Sequence, residues 1–387
     1  MTDRDLKYWF ALKWAEGVGN VAFKALLSAF GSPRQVFDAP FTMIKAVPGI
    51  GGKAAHKIKA FSDWEKVEKE IENTGRHGVR IVTLHDPLYP PHLACIYDNP
   101  AYLYVKGTLR DDDINIAFVG SRIATAHGLF TTERLCRELA LRGATIVSGM
   151  ARGIDSAAHR GALAGRGRTI AVLGCGLDIV YPAENEKLFN DIAANGAVIS
   201  EFPFGAPPNA PNFPARNRII SGLSLGVVVV EAGERSGSLI TARIALEQGR
   251  EVFAVPGSID VSGSRGTNKL IKQGAKLIEN IDDILEEILP QTGRMPASFK
   301  TQAGDTARVE SAKQSLMFIK HEPVPEETFT ENEKAVWQFI SHKPIHIDRL
   351  ITSTSLSAAD VLGSLLNLEL KGFIEQKPGK IYVRKES

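Results

Sequence analysis

The sequence predicts an α/β protein built on a doubly wound, mostly parallel sheet, with a helical module before it and a small helix-and-hairpin module after it. Three observations predict this. Between Ile114 and Leu277, short apolar runs alternate regularly with helical patterns. Several of the runs are almost continuously apolar, as strands covered on both faces are. Glycine, serine and arginine collect where the runs end, and open α/β sheets bind their ligands at the carboxyl ends of the strands. At about 100–200 residues per domain, 387 residues give two to three domains, and 44% hydrophobic with 23% charged residues is the composition of a globular chain.

The elements run in order. Residues 1–60 read as short helices joined by glycine turns, with nine basic and four acidic side chains. Glu16-Gly17-Val18-Gly19 before Val21–Phe30 resembles Val47-Pro48-Gly49-Ile50-Gly51 before Lys53–Phe61, the pattern of a helix–hairpin–helix. Such turns leave N–H groups open at a helix N-terminus, which suits a phosphate oxygen; a plain glycine turn in a helical bundle explains them equally. Residues 62–115 connect, with a helix over Trp64–Glu72, strands over Val79–Leu84 and Ala101–Lys106, and a proline-punctuated loop between them. The alternating region then gives strands at Ile114–Val119, Ala144–Ser148, Thr169–Leu173, Ala197–Ser200, Val227–Glu231, Glu251–Val255 and Lys276–Leu277. Helices are expected at Thr131–Leu141, Ser156–Leu163, Asn185–Ala194, Asn217–Leu223, Leu239–Gln248 and Thr267–Lys272. Polar, aperiodic residues 290–328 read as a flexible linker. Beyond it, helices at Asn332–Ile340, Ile347–Ile351 and Ser357–Lys371 and strands at Phe373–Gln376 and Lys380–Arg384 make a winged helix–turn–helix over 329–387.

Several classes drop out. Three cysteines (Cys95, Cys136, Cys175) without CxxC spacing fit neither a disulfide framework nor a zinc site, so no metal is expected. The charged N-terminus lacks the apolar core of a signal peptide, and the most apolar windows are shorter than a membrane span, so a soluble cytoplasmic protein is expected. The GxGxxG and GxxxxGK[ST] phosphate loops do not occur, which disfavours a hydride-transfer enzyme or an ATP motor; Gly174-Cys175-Gly176 is a lone GxG.

The loops after the strands carry the chemistry. The first ends in Gly120-Ser121-Arg122. The second runs through Ser148-Gly149-Met150-Ala151-Arg152-Gly153 to Ile154-Asp155, where two glycines bring backbone near a ligand and Arg152 supplies a cation; Asp155 and His159, four apart on a helix, are expected to pair locally rather than serve Ser148 as a catalytic triad. After the fourth strand, Phe213-Pro214-Ala215-Arg216-Asn217-Arg218 joins an aromatic face to two planar guanidinium forks, groups that stack on bases and grip phosphates; a core phenylalanine beside a surface ion pair is the plain alternative. After the fifth, Ser236-Gly237-Ser238 opens a helix carrying Thr241, offering N–H groups and hydroxyls to an anion. Residues 116–278 hold eighteen basic and thirteen acidic side chains, fourteen of the eighteen being arginine. Loops rich in Gly, Ser and Arg and poor in acid–base pairs favour holding a phosphodiester over cutting one.

The stretches Val119–Arg122, Ser148–His159, Thr169–Pro182, Ser200–Pro203, Phe213–Ser224, Val228–Ala242 and Gly249–Gly257 resemble the DprA (Smf) family of DNA-processing proteins over roughly residues 78–285; FPARNRIISGLS and SGSLITA are its most specific signatures here. The resemblance implies a Rossmann-like core over 63–289 that binds single-stranded DNA without a cofactor, preceded by a SAM-like helical domain over 1–62. It also implies a homodimer formed through that core, no enzymatic activity, and loading of the RecA recombinase during natural transformation. By motif, Arg122 would contact the DNA backbone and Phe213 would stack on a base, with Ser148–Gly153 and Ser236–Ser238 completing the pocket. Many members carry a basic residue three positions before the phenylalanine; here it is Ala210, leaving Arg216 or Arg218 to supply that contact. The alternative is a nucleotide-binding or phosphoribohydrolase-like Rossmann enzyme, but its PGGxGTxxE loop is replaced by EAGERSGSLITA, without the carboxylate in place. The candidate recognition helix Ser357–Lys371 sets Asp360 and Glu369 against Lys371 alone, and residues 326–387 carry a net charge of −1, which favours a protein contact over DNA reading.

Overall fold

The computed structural model describes residues 3–292 and 329–384, apart from 342–344, 355, 372 and 378–380. They fall into two compact units, one up to residue 292 and one from 329 onward. The expected linker lies outside the described residues except for 290–292, which finish a helix.

The first unit opens with six helices, α1 (Asp3–Trp14), α2 (Asn20–Phe30), α3 (Pro33–Asp38), α4 (Phe41–Lys45), α5 (Gly52–Lys59) and α6 (Trp64–Arg76). Both glycine turns occur where the sequence places them: Gly17 and Gly49 take positive φ, which glycine adopts without steric cost, and Gly19 and Gly51 cap the starts of α2 and α5. This bundle is continuous with the sheet. Phe10, Phe23, Leu26 and Ile58 share one core with Tyr102, Tyr104 and Leu173 of the strands, and the Tyr104 hydroxyl donates to the Glu70 carboxylate of α6 at 2.7 Å.

The chain continues through β1 (Arg80–Thr83), α7 (Pro91–Ala94), β2 (Tyr102–Gly107), β3 (Ile114–Val119), α8 (Ala126–Leu141), β4 (Ala144–Ser148), α9 (Ile154–Ala164), β5 (Thr169–Leu173), α10 (Glu186–Asn195) and β6 (Ala197–Ser200). It then runs through α11 (Asn212–Leu223), β7 (Gly226–Val229), α12 (Gly237–Glu247), β8 (Glu251–Ala254), α13 (Arg265–Lys272), β9 (Lys276–Leu277) and α14 (Asp282–Thr292). Nine strands make one sheet in the order β1-β2-β6-β5-β4-β3-β7-β8-β9. β2 is antiparallel to both β1 and β6, and all other pairs are parallel.

The period-2 alternation of β3 explains why its run is apolar apart from Asn115: Ile114, Ile116 and Phe118 enter the core beneath α8, α9 and α14, while Ala117 and Val119 enter the core beneath α11 and α12. From β3 the chain winds outward through β4, β5 and β6, then returns to lay β7 on the other side of β3. The strand order therefore reverses between β3 and β7, which is where a doubly wound sheet opens its ligand crevice.

The second unit contains α15 (Glu331–Trp337), β10 (Ile345–His346), α16 (Ile347–Thr354), α17 (Ala358–Leu370), β11 (Ile374–Lys377) and β12 (Ile381–Arg384). Thr330 and Glu333 form a capping box on α15, and Val336, Leu350, Val361, Leu365 and Ile374 belong to the unit's buried core. The hairpin is joined by β10 into a three-stranded sheet, β10-β12-β11, so the winged-helix architecture is present, with a two-residue strand that sequence periodicity is too short to signal.

Candidate nucleic-acid interface

Helix α11 begins five residues earlier than the sequence pattern indicates, so Phe213–Arg218 forms its first turns and not a loop. The change matters, because a helix distributes these side chains over different faces. Phe213, Pro214, Arg216 and Asn217 border a cleft of about 800 Å³ at the β3/β7 reversal, whose far wall is Gly120, Ser121 and Arg122 and the α12 start at Gly233–Thr241. Ten of the fifteen expected site residues meet there: Gly120, Ser121, Arg122, Phe213, Arg216, Asn217, Ser236, Gly237, Ser238 and Thr241.

Arg122 is exposed, and its guanidinium carbon lies 5.0 Å from the centre of the half-buried Phe213 ring. The same ring approaches Tyr181, centroid to centroid 5.7 Å. Gly174 leaves room for it, since a Cβ there would come within 3.2 Å of the ring. The GxG after β5 is thus a seat for Phe213. Asn212 anchors the same turn by donating to the Gly174 carbonyl at 3.0 Å.

The Arg122 loop is held by partners distant in sequence. Ser121 N–H donates to the Glu231 carbonyl at 2.7 Å, and Ile154 N–H to the Ser121 carbonyl at 3.1 Å. The Glu231 carboxylate, which is buried, accepts from Thr125 N–H at 3.0 Å and from its hydroxyl at 2.9 Å. Gly153 lies outside the cleft but supports it: its φ is +73°, and a Cβ there would strike the Ser121–Arg122 backbone. On the opposite wall, Ser236 caps α12, accepting from Ser238 N–H, and the two hydroxyls are 2.7 Å apart. The positive end of the α12 dipole faces the cleft beside the exposed Arg235.

Four expectations need correction. Arg216 is not a free fork: it is 3% exposed, its Nη1 donates to the Val172 carbonyl, and its Nε has no partner among the described residues. Burial pulls its pKa below the ordinary arginine value while nearby Asp155 pushes it back up. It forms the charged floor of the cleft, and Gly149 serves it, because a Cβ at 149 would overlap its guanidinium. Arg218 leaves the cleft altogether, pairing with Glu201 and, at 3.1 Å, with Asp98. Ser148 is fully buried, donating to the Phe118 carbonyl at 2.7 Å, and Arg152 pairs with Glu184 on an adjacent shallow surface that it shares with Gly153 and Arg122.

Nor do Asp155 and His159 pair. Asp155 accepts from Ala151 N–H at 3.4 Å, and burial raises its pKa; His159 Nδ1 instead meets Thr169 Oγ1 at 2.7 Å. With Ser148 turned into the sheet, these three residues form no catalytic triad. Tyr181, Pro208 and Arg235 join the cleft beyond the expected set; only their place after the strand ends points to them.

The cleft's ionic groups are Arg122, Arg216 and Arg235 against one buried carboxylate, Asp155. No cluster able to hold a metal ion occurs among the described residues. No helix among them is long and apolar enough to cross a membrane.

Against known proteins, residues 80–289 match the family model described as DNA recombination-mediator protein A, and 320–380 match the DprA winged helix domain. The Protein Smf of Synechocystis sp. is 35% identical over 404 residues, covering 100% of both chains. The chain belongs to the DprA/Smf family. Its Escherichia coli Smf relative is 41% identical, covering 81% of this chain and 79% of that one. Two solved DprA structures share the fold. The Streptococcus pneumoniae protein superposes with a TM-score of 0.64 at 37% identity, covering 73% of this chain and 98% of that one. The Helicobacter pylori protein, whose structure describes a single-stranded DNA binding mode, superposes at 0.50 with 35% identity, covering 55% of this chain and 97% of that one.

Proposed function

We propose that the β3/β7 cleft holds single-stranded DNA and that this DprA/Smf protein processes DNA by binding it, without cutting it. The observation that carries the reading is the Arg122 guanidinium over the Phe213 ring inside one arginine-lined cleft. An aromatic face serves any unpaired base, with stacking worth about 1–3 kcal/mol per base, and the arginines and the α12 N-terminus serve the phosphates. A duplex hides its base faces and gains only the charge. Acid–base chemistry finds little support: Asp155, the cleft's carboxylate, is buried against backbone, and Glu231 is occupied by Thr125. The position at a strand-order reversal also suits a mononucleotide, the phosphoribohydrolase-like alternative; incubation with nucleoside monophosphates and chromatography for free base is expected to show no release.

With the family comes a larger role, which we propose alongside it: a cytoplasmic homodimer, joined through the Rossmann-like core, that shields incoming single strands and loads a RecA-type recombinase. The winged helix suits a protein contact there. Lys371, the lone cation set against Asp360 and Glu369, donates to Glu333 at 2.8 Å, and α17 displays Leu362 and Leu366 to solvent. Gel shifts with matched single- and double-stranded oligonucleotides test the binding reading. The single strand is expected to shift at lower protein concentration, and equal shifts would contradict it.

A further inference from the structure

Helix α11 has a second cleft on its other side. About 890 Å³ in volume, it is bordered by Lys24 of α2, Tyr97 and Asp98 of the α7–β2 loop, Pro214 and Arg218 of α11, and Arg250. Pro214 borders both clefts, so the two meet at the first turn of α11.

Tyr97 is the conspicuous group. It is 78% exposed at the rim of a cleft, although the residues around it are firmly held. Ile96 is buried and packs against Gly222 of α11. Asp98 pairs with Arg218 Nε at 3.1 Å, and its carbonyl accepts from Asn20 Nδ2 of α2 at 3.2 Å. Arg250 Nη2 donates to the carbonyls of His92 at 2.9 Å and Gly222 at 3.2 Å, tying α7 to α11. A fixed loop thus presents an aromatic ring to solvent, with no fold requirement for its exposure.

Arg218 is balanced by Asp98 and Glu201, which leaves Lys24 and Arg250 against Glu247 as the other charged groups of the cleft. Arg250 meets only backbone carbonyls and its Nε has no partner among the described residues, so no carboxylate pairs with this guanidinium. The wall that carries Lys24 belongs to residues 1–60, whose nine basic side chains outnumber four acidic ones. An exposed aromatic ring over a basic floor is the composition of a sequence-tolerant platform for single strands.

We propose that a single strand leaving the β3/β7 cleft passes over Pro214 into this second cleft, where Tyr97 stacks on a base and Lys24 meets a phosphate. The helical module then contributes a wall to the nucleic-acid track. This extension rests on the single-strand reading of the first cleft, and its test separates the two.

The test is fluorescence anisotropy of the full chain with labelled oligo-dT of about 6 and about 20 nucleotides, spanning the usual site sizes. Tyr97→Ala and Lys24→Ala are compared with wild type and with Arg122→Ala. Tyr97 is exposed enough that its truncation leaves the core intact. We expect both second-cleft variants to bind the short oligonucleotide as wild type does and to lose about 5- to 10-fold on the long one. Equal loss at both lengths would place Tyr97 in the first cleft and overturn the extension. Wild-type curves at both lengths would also overturn it, and loss of recombinase binding in those same variants would make the cleft a protein surface. In each case Arg122→Ala still weakens binding; if Arg122→Ala is without effect at either length, the first-cleft reading itself fails.

Discussion

At the scale of single residues, the site depends on which arginines are free. Arg122, Arg216 and Arg218 look alike in sequence, yet only Arg122 is exposed beside Phe213. Arg216 is consumed by the Val172 carbonyl and Arg218 by Asp98 and Glu201, partners that local periodicity cannot announce. This bears on Ala210, where the family resemblance implies a cation. Ala210 lines the cleft, and the exposed Arg235 on the opposite wall, not Arg218, is placed to share its missing role. Ala210→Lys should therefore tighten binding to oligo-dT and steepen the plot of log affinity against log salt by about 0.7, the increment for one further phosphate neutralised on a single strand. An unchanged slope in a salt titration would show that position 210 does not face the strand.

At the scale of elements, the alternating strands and helices are legible because burial on both faces writes itself as nearly continuous apolarity in β3, β4, β5 and β7. The start of α11 is not. Pro211 and Pro214 read as loop residues, although proline is at home in the first turn of a helix. Spacing alone suggests a pairing of Asp155 with His159, whereas α9 uses His159 to reach β5.

That contact has a pH signature. Thr169 Oγ1 donates to the Ile146 carbonyl at 2.7 Å, so it accepts from His159 Nδ1–H, and His159 Nε2 is left buried without a partner among the described residues. Burial, with Arg216 and Arg160 nearby, depresses the imidazole pKa from 6.5 to about 3. A folded-state pKa below the unfolded one means the contribution to stability is complete above pH 6.5 and is lost as pH falls toward 3. Asp155 has the opposite sign: its raised pKa makes its burial less costly as it protonates. Urea unfolding across this window should show a shallower acid loss in His159→Gln than in wild type. Parallel curves would mean that another group drives the acid sensitivity.

At the scale of the whole molecule, the helical bundle and the sheet share one core through Phe10, Tyr102 and Tyr104, although composition separates them at residue 62. A shared core is invisible to sequence reading because it is made between elements far apart in the chain. The winged helix forms a unit of its own. Its recognition helix offers apolar and acidic groups, so it should add little to strand binding. Deleting residues 326–387 is expected to leave oligo-dT affinity within about 2-fold, the truncation of a basic DNA reader costing far more. A loss of about ten-fold or greater in anisotropy would assign the winged helix to the nucleic-acid interface.

The central claim, that arginine and an aromatic ring in the β3/β7 cleft hold an unpaired strand, is tested most directly by a salt titration of Arg122→Ala against wild type on oligo-dT. The account predicts weaker binding at low salt and a slope shallower by about 0.7. Superimposable curves would contradict it.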